Sequence, residues 1–398
     1  MSLSALSVMV VEDHGFQRRM ALRLLSELGI GNVHQAADGV GALGQLDDMG
    51  SIPDVVLVDL DMPGMDGIEF IGHLAQRRLA RAVVVVSALD PALLNTVQTM
   101  ARAYGLRVLG SVEKPLTLEK LSAALEGFSH GLLDDADDEP IEITASSLRE
   151  ALSAGRIGPW YQPQVEFANG HVVGVEALAR WVQADGRVIA PSHFVPLLER
   201  EGLLEALTDH MLTQACRDKR RWDEQGLDLT LSVNVSPTSL TLNSAADRYQ
   251  RLVEAEGIDP ADVILEITES SVMADAARGL GVMARLRLKG FGLSIDDFGT
   301  GWSSLAQLSQ VPFTELKIDQ TFVTGAHKQP RKRAVVEASL DLARKLDLKV
   351  VAEGVETIDD WQMLADLGCG IAQGSLVSLA VPATTLPDVV AHWRRPGH

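Results

Sequence analysis

The chain has 398 residues, with 35 Lys and Arg against 54 Asp and Glu, and its formal net charge is −19. That length predicts two or three domains, because one core typically serves about 150 residues. Hydrophobic residues make up 46% of the chain, which is too many for a disordered protein. The negative charge repels phosphate backbones, so we expect no binding to DNA.

The cysteine content and the apolar runs bear on the compartment. Two cysteines, Cys216 and Cys369, are too few for a disulfide framework and suit a reducing compartment. The first residues reach two acids, Glu12 and Asp13, without the basic segment of a signal peptide. The longest apolar runs are strand-sized and far short of a membrane span. We therefore expect a cytoplasmic protein with no membrane partner.

The first 128 residues alternate strand-like and helix-like patterns. Short β-branched runs lie at 7–11, 55–58 and 82–86, helical spacing of Leu and Ala lies at 16–28 and 116–128, and Pro91 opens another helix. Runs of this kind are typical of strands that are buried on both faces of a parallel sheet. The pattern predicts an α/β domain with a doubly wound, five-stranded parallel sheet.

Polar residues follow the predicted strands where such a fold collects its functional groups. They are Glu12, Asp13, Asp59, Ser87 and Lys114. An acid at a strand end is more often a helix cap, but three acids with a hydroxyl and a lysine outweigh that reading. Three close carboxylates repel one another unless a divalent cation lies among them, and oxygen ligands favour Mg²⁺. Asp59 would attack a phosphoryl donor, while Ser87 and Lys114 hold the transferred oxygens.

These segments resemble the receiver domains of two-component response regulators. The resemblance is carried by VVED (10–13), VDLDMPGMDG (58–67), VVSA (85–88) and EKP (113–115). It implies that Asp59 is the phosphoacceptor, that one Mg²⁺ binds at Glu12, Asp13 and Asp59, and that a cognate sensor histidine kinase is a partner. Ser111 stands where many receivers place an aromatic switch residue.

Residues 129–142 contain six acids and a proline, a composition that favours a solvated, extended linker. We therefore divide the chain into a domain at 1–128, an acidic linker at 129–142 and a second domain at 143–398.

The second domain repeats one theme, in which a short apolar run ends on a polar residue and a helical segment follows. The polar residues are Glu176, Asn234, Glu266, Asp296, Lys317, Glu353 and Gln373. Polar strand ends that face a common rim are typical of the active site of a (β/α)₈ TIM-type barrel.

The composition of this rim favours a particular chemistry. Glu176, Asn234, Glu266, Asp296, Asp297 and Glu353 offer oxygen ligands only, which indicates Mg²⁺ or Mn²⁺ rather than Zn²⁺. The adjacent Asp296 and Asp297 suggest two ions that share a ligand, an arrangement that hydrolyses phosphodiesters. Arg180 suits a phosphate, and Lys317 could position or deprotonate water.

The second domain resembles the EAL family, which hydrolyses cyclic di-GMP to linear pGpG with Mg²⁺ or Mn²⁺. The matching segments are YQPQ (161–164), EALAR (176–180), SVNVS (232–236), LEITES (265–270), DDFGTG (296–301), LKID (316–319), AEGVE (352–356) and AQG (372–374). The resemblance implies catalytic roles for Lys317, Glu353 and Glu176, with the six oxygen-ligand residues binding two ions. It also implies a substrate site that is formed by Gln162, Leu178, Arg180, Asp319, Glu356 and Gln373. Glu269 is implied to anchor the loop that starts at Asp297.

Two departures from the family's motifs and two functional alternatives remain. Trp302 stands where the family often has Tyr, and Ser375 where an aromatic residue is common. We expect a homo-oligomeric cyclic di-GMP phosphodiesterase controlled by phosphorylation of the receiver. The alternatives are a non-catalytic receptor for the dinucleotide or for a partner protein, and a metal-dependent hydrolase of another phosphodiester.

Overall fold

The structure is a computed structural model that describes residues 6–49, 51–87, 101, 106–125, 143–242, 244–268, 276–299 and 311–396. The chain divides into two compact units, Met1–Ile141 and Glu142–His398, and each is described by itself. The predicted linker and the helix expected at Pro91 lie outside the described residues, so both stay predictions.

The first unit is built on a sheet of five parallel strands in the order β2-β1-β3-β4-β5. The strands are β1 (Ser7–Val11), β2 (Asn32–Ala36), β3 (Val55–Asp59), β4 (Ala82–Ser87) and β5 (Arg107–Glu113). Every residue of β3 and β4 is buried, because helices cover both faces of a sheet of this kind.

Helices pack on the two faces of this sheet. They are α1 (Gly15–Glu27), α2 (Gly39–Asp48), α3 (Gly67–Arg77) and α4 (118–125). The residues of β3 alternate between two apolar clusters, so Val56 and Val58 pack with Phe70, whereas Leu57 packs with Leu121 on the opposite face. This alternation is the two-residue period of a strand.

The second unit is a closed barrel of eight strands. They are β6 (Ile157–Glu166), β7 (Val172–Val182), β9 (Thr230–Asn234), β10 (Val263–Thr268), β11 (Gly292–Phe298), β12 (Glu315–Ile318), β13 (Lys349–Ala352) and β14 (Ile371–Gln373). Their order is β6-β14-β13-β12-β11-β10-β9-β7, and pairing of β6 with β7 closes the ring. The two-residue strand β8 (Val188–Ile189) pairs antiparallel with β7, and the two-residue strand β15 (Val381–Pro382) pairs antiparallel with β6.

One strand departs from the parallel arrangement of a (β/α)₈ barrel. β6 runs antiparallel to both β7 and β14, whereas the other neighbouring strands of the ring are parallel. Only residues 167–171 separate β6 from β7, and parallel pairing needs a crossover of a dozen residues or more. The short turn therefore makes this pair a hairpin.

The barrel strands alternate with helices along the chain. The helices are α5 (Ala145–Ser153), α6 (Pro191–Arg200), α7 (Leu204–Glu224), α8 (Ala245–Ala255), α9 (Ala276–Leu288), α10 (Gln320–Val323), α11 (Pro330–Lys345), α12 (Ile358–Asp366) and α13 (Leu386–His392). The predicted fold class, a five-stranded parallel α/β unit followed by an eight-stranded barrel, is confirmed. None of the helices in the described ranges has the length and apolar character that a membrane crossing requires.

Candidate functional site

Three acids of the first unit meet at the carboxyl ends of β1 and β3. Glu12, Asp13 and Asp59 each offer a carboxylate oxygen within 4.8 Å of the others. Glu12 and Asp59 are buried, whereas Asp13 is exposed. Parallel strands end at the same edge of the sheet, which is why residues 46 positions apart converge here. This oxygen-rich group suits a Mg²⁺ ion.

A lysine completes this acid group. The Lys114 Nζ donates to Asp59 Oδ2 at 2.7 Å and lies 3.0 Å from Glu12 Oε2. Burial alone would lower the pKa of Lys114, but its bonds to Asp59 and Glu12 raise it. Burial raises the pKa of Glu12. Ser87 is buried at the end of β4, where its carbonyl accepts from the Lys114 amide at 3.1 Å. The five predicted residues therefore lie at one end of this sheet.

The backbone around Asp59 is held by a close approach of glycine. A Cβ on Gly67 would lie 2.2 Å from the Asp59 carbonyl oxygen and 2.7 Å from Leu60 Cα. The Gly67 amide donates to the Leu60 carbonyl at 3.1 Å. Helix α3 can therefore begin directly against the end of β3 only if residue 67 lacks a side chain.

Lys317 is the centre of the candidate active site in the barrel. Its Nζ contacts carboxylates from four different strands or strand ends, and it is fully buried. The distances are 3.1 Å to Glu176, 3.0 Å to Glu266, 3.2 Å to Asp296 and 2.7 Å to Glu353. Burial alone would lower the pKa of Lys317, but these carboxylates raise it well above its usual value.

Amide side chains orient the carboxylates around Lys317. The Asn234 Nδ2 donates to Glu176 at 2.9 Å and to Glu266 at 3.2 Å. The Gln373 Nε2 donates to Glu176 at 2.6 Å and to Gln162 at 3.1 Å. Glu176 was expected at the end of a strand, but β7 continues to Val182 and places Glu176 in its middle. Pairing with Gln162 on the antiparallel β6 brings it into this network.

The acids of this site differ widely in pKa, because each has a different balance of burial, repulsion and favourable partners. Burial alone would raise the pKa of Glu176, but Lys317 and hydrogen-bond donors lower it to about 2. Burial, with the charge of Glu176, raises the pKa of Glu266 well above its usual range. Burial also raises the pKa of Glu353 to about 8, although Lys317 opposes it. A cluster that a single lysine cannot neutralise is suited to divalent cations.

The geometry at the ends of β11 and β13 suits such a cation. Asp296, Asp297 and Glu353 each offer an oxygen within 4.8 Å of the others. Burial and the neighbouring Asp296 raise the pKa of Asp297 to about 6. Asp297 has φ 57° and Gly299 has φ 99°, so the backbone turns sharply where it leaves the barrel. Aspartate is one of the few residues other than glycine that adopt this left-handed conformation with some frequency.

A cavity of about 310 Å³ opens above these carboxylates. It is lined by Gln162, Glu176, Leu178, Asp296, Asp297, Asp319, Gln320, Glu353, Gly354, Glu356, Gln373, Gly374, Ser375 and Leu379. Arg180 instead lines a separate cavity of about 370 Å³ beside Trp160. Five of the six predicted substrate residues therefore share the first cavity, and Arg180 does not line it. Glu269, the predicted loop anchor, and Trp302 lie outside the described residues.

Sequence reasoning missed two polar residues that belong to this network. The Gln164 Nε2 donates to Gln373 at 3.0 Å, and the Ser378 carbonyl accepts from Gln162 at 3.1 Å. The spacing of Gln162 and Gln164 along one strand placed both on the same face, and this signal could have identified Gln164. The Ser378 contact is made by a backbone atom and leaves no mark in the sequence.

Comparisons with known proteins cover both units. The chain matches the response regulator receiver domain over residues 8–126 and the EAL domain over residues 145–380. It is similar to the cyclic di-GMP phosphodiesterase RocR of Pseudomonas aeruginosa, with 34% identity over 96% of this chain and 97% of RocR.

Two further similarities concern the barrel. The bifunctional diguanylate cyclase/cyclic di-GMP phosphodiesterase MucR of Pseudomonas aeruginosa is 40% identical over 61% of this chain and 36% of MucR. The solved structure described as PaMucR phosphodiesterase in complex with c-di-GMP has 39% identity and a TM-score of 0.58. It matches 61% of this chain and 98% of that chain.

Proposed function

Because the chain belongs to the EAL domain family and carries a receiver domain, we propose that it is a response regulator that hydrolyses cyclic di-GMP to linear pGpG. One observation carries the proposal, namely the convergence of four carboxylates on the buried Lys317. RocR, which is similar over nearly its whole length, is described as a cyclic di-GMP phosphodiesterase.

Two Mg²⁺ or Mn²⁺ ions fit the donor set of the barrel. The residues that would hold them are Glu176, Asn234, Glu266, Asp296, Asp297 and Glu353, which present oxygen ligands alone. When bound, a pair of such ions supplies an activated water and neutralises charge on the phosphate. Burial and repulsion from Asp296 raise the pKa values of Glu353 and Asp297, and this supports the assignment because cations would relieve the repulsion.

The remaining residues bind and orient the dinucleotide and the water. Lys317 holds its ammonium among the carboxylates, where it can orient the attacking water. Gln162, Leu178, Asp319, Glu356 and Gln373 line the cavity as substrate contacts. Arg180, which lines the separate cavity beside Trp160, is the proposed contact for a phosphate.

Hydrolysis opens one phosphodiester bond of the cyclic dinucleotide. The water oxygen bonds to phosphorus as the bond from phosphorus to a 3′ oxygen breaks. The proton released from the water is balanced by the proton that the 3′ oxygen gains. The products are therefore a 5′ phosphate and a 3′ hydroxyl on one linear molecule.

The receiver is proposed to control this activity. Asp59 accepts a phosphoryl group from a cognate sensor histidine kinase, with one Mg²⁺ at Glu12, Asp13 and Asp59. Lys114, which contacts Asp59, and Ser87 at the end of β4 are the proposed contacts for the transferred oxygens. We also expect self-association of the chain.

The test is direct hydrolysis of cyclic di-GMP by the purified full chain. Chromatography should show pGpG with Mg²⁺ or Mn²⁺ and none with a chelator in excess. Binding of the dinucleotide without any product, under both metals, would instead identify a non-catalytic receptor. Robust hydrolysis in chelator would refute the role of the ions.

A further inference from the structure

Glu315 is a buried carboxylate beneath Lys317 that has no part in the proposed mechanism. The two residues are two positions apart in β12, so their side chains point to the same face of the strand. Lys317 points into the barrel, since it contacts carboxylates from across it. Glu315 therefore points inward as well, nearer the amino-terminal end of the barrel, and is 1% exposed.

The surroundings of Glu315 leave part of its carboxylate without a partner. It lies beside Ser294 of β11 and Lys349 of β13 in the register of the sheet. Its Oε1 is buried and has no hydrogen-bond partner within the described ranges, and the buried Ser294 hydroxyl lies beside the carboxylate. Burial raises the pKa of Glu315, although the Ser294 hydroxyl and the positive charges of Lys317 and Lys349 oppose the rise. A buried carboxylate in this state destabilises the fold, so a role that compensates is expected.

Lys317 gives Glu315 such a role, because the carboxylates that now surround the ammonium of Lys317 are also the proposed metal ligands. An ammonium has three hydrogens, and Lys317 places them among four carboxylates. All four are proposed metal ligands. Divalent ions would compete for the same oxygens and repel the ammonium. The carboxylate of Glu315 lies below Lys317, on the side away from those ligands. It would then hold the ammonium of Lys317 in place.

We propose that Glu315 is a positioning residue that, with the Ser294 hydroxyl, holds the ammonium of Lys317 in place when the four upper carboxylates bind divalent ions. This inference rests on the proposed function, because it assumes that the carboxylates bind ions. It assigns to Glu315 an action through Lys317 and no contact with the substrate.

The first experiment needs no catalysis. The affinity of the full chain for Ca²⁺ is measured by calorimetry in wild type, Glu315→Gln, Lys317→Met and the double variant. Removing the charge of Glu315 should weaken Ca²⁺ binding by about fivefold or more when Lys317 is present, because the ammonium then lacks a counter-charge. In the Lys317→Met background the same change should alter the affinity by less than about twofold. Equal effects in both backgrounds would refute the proposal.

The second experiment separates positioning from a structural role. Glu315→Gln should lower kcat for cyclic di-GMP by about tenfold or more with little change in KM, because a displaced catalytic group affects the chemical step. Lys349→Gln removes the other cation near Glu315 and should keep wild-type kcat. A loss of kcat in Lys349→Gln that matches Glu315→Gln would show that the pair only supports the barrel.

Two further outcomes are distinguishable. If Glu315→Gln does not fold, Ser294→Ala removes only the neighbouring hydroxyl and should lower kcat in the same direction, whereas wild-type kcat would contradict the proposal. If the wild type does not hydrolyse the dinucleotide, the proposed function fails, while the Ca²⁺ measurements still decide whether Glu315 acts on Lys317.

Discussion

Glu176 is 4% exposed, yet its pKa lies well below its usual value, because one cation and several hydrogen-bond donors surround it. Its Oε1 accepts from Asn234 at 2.9 Å, and its Oε2 accepts from Gln373 at 2.6 Å and from Lys317 at 3.1 Å. A buried carboxylate with this many partners is held in one orientation. Glu176 can therefore present a fixed negative charge to a cation.

Replacing that charge should abolish catalysis without unfolding the barrel. Glu176→Gln keeps the shape of the side chain and should lower kcat for cyclic di-GMP by several orders of magnitude, because a metal ligand and an orienting partner of Lys317 are lost together. The matched control is Glu337→Gln, an exposed glutamate on α11. Its kcat should equal that of wild type. Product formation at near wild-type rate by a folded Glu176→Gln protein would remove Glu176 from the mechanism.

A second prediction concerns the close approach of Gly67 to the backbone of Asp59 in the receiver. Gly67→Ala would place a Cβ 2.2 Å from the Asp59 carbonyl oxygen, so the start of α3 must shift. We expect the free energy of unfolding to fall by about 1 to 3 kcal/mol or more, as for other overpacked sites. Thermal unfolding of the full chain measures this change, and phosphorylation of Asp59 should weaken with it.

The same helix offers the control for this substitution. Gly72 also lies in α3, where a Cβ would meet nothing within 4 Å. Gly72→Ala should therefore leave stability unchanged or raise it by about 0.5 to 1 kcal/mol, the usual gain in a helix interior. An equal fall in the free energy of unfolding for both alanine variants would show that the close approach at residue 67 does not cause the loss of stability.

At the scale of elements, a buried aspartate joins α12 to the segment that follows α10. Asp360 is fully buried and accepts from the Gly325 amide at 3.2 Å and the Thr357 hydroxyl at 2.8 Å. The His327 Nδ1 lies 2.6 Å from its other oxygen. Burial alone would raise the pKa of Asp360, but these partners lower it. The ionised carboxylate thus fastens one βα connection of the barrel to the next.

The lowered pKa gives Asp360 a pH-dependent contribution to stability. This contribution is fully present above the unfolded pKa, about 3.9 for Asp, and is lost as pH falls through the lower folded value. Asp360→Asn should therefore reduce the free energy of unfolding by about 1 to 3 kcal/mol at pH 7 and by less in acid. Thermal unfolding between pH 7 and the acid limit of the fold measures both.

Asp359→Asn is the matched control, since Asp359 is largely exposed and lies 3.6 Å from His327. It should change stability little at any pH, because exposed ion pairs contribute little. A difference between wild type and Asp360→Asn that does not change with pH would mean that the ionised carboxylate is not the stabilising group.

The elements also show what sequence patterns can and cannot predict. The valine runs predicted β3 and β4 to within a residue, because strands buried on both faces are apolar throughout. The position of Glu176 inside β7 was not predicted, because a strand in a hairpin carries polar residues on one face and has no apolar boundary. The antiparallel β6 was missed for a related reason, since polarity patterns do not record strand direction.

The residue types of the candidate site could be predicted from the sequence, but the contacts among their side chains could not. Polar residues at successive strand ends converge in any closed barrel, so their presence could be inferred from spacing. The role of Lys317 as the common partner of four carboxylates depends on side-chain reach across the barrel. Arg180 was predicted at the same rim, yet it lines the separate cavity beside Trp160, because β7 continues to Val182, beyond the end of the neighbouring β9.

At the scale of the whole molecule, the charge of −19 opposes a dinucleotide that carries two phosphates. Binding should therefore depend on cations in the barrel. We predict that Ca²⁺ supports tight binding of cyclic di-GMP with little turnover, since its looser coordination suits catalysis poorly. Calorimetry in chelator should show affinity weaker by about tenfold or more, because uncompensated carboxylates repel the ligand. Equal affinity in Ca²⁺ and in chelator would contradict this.

The control that we propose for the receiver concerns the whole chain. Phosphorylation adds roughly one to two negative charges at Asp59, and charges of this kind are screened within about 10 Å in ordinary buffer. We expect the phosphoryl group to change turnover in the barrel by shifting an equilibrium between two states of the chain. We expect a coupling of about 1 to 3 kcal/mol, which corresponds to a change of about five- to 150-fold.

We predict that phosphorylation at Asp59 increases turnover of cyclic di-GMP. The measurement compares wild type with and without a small phosphodonor and Mg²⁺, and Asp59→Asn under the same conditions. Asp61→Asn, at the exposed neighbouring acid, is the matched control and should respond to the phosphodonor as wild type does, because it leaves Asp59 and Lys114 in contact. Asp59→Asn should keep the basal rate and lose the response. If mass spectrometry finds the phosphoryl group on Asp59 while all rates agree, the receiver does not control catalysis, and the acid cluster with Lys114 must act in assembly or in partner binding.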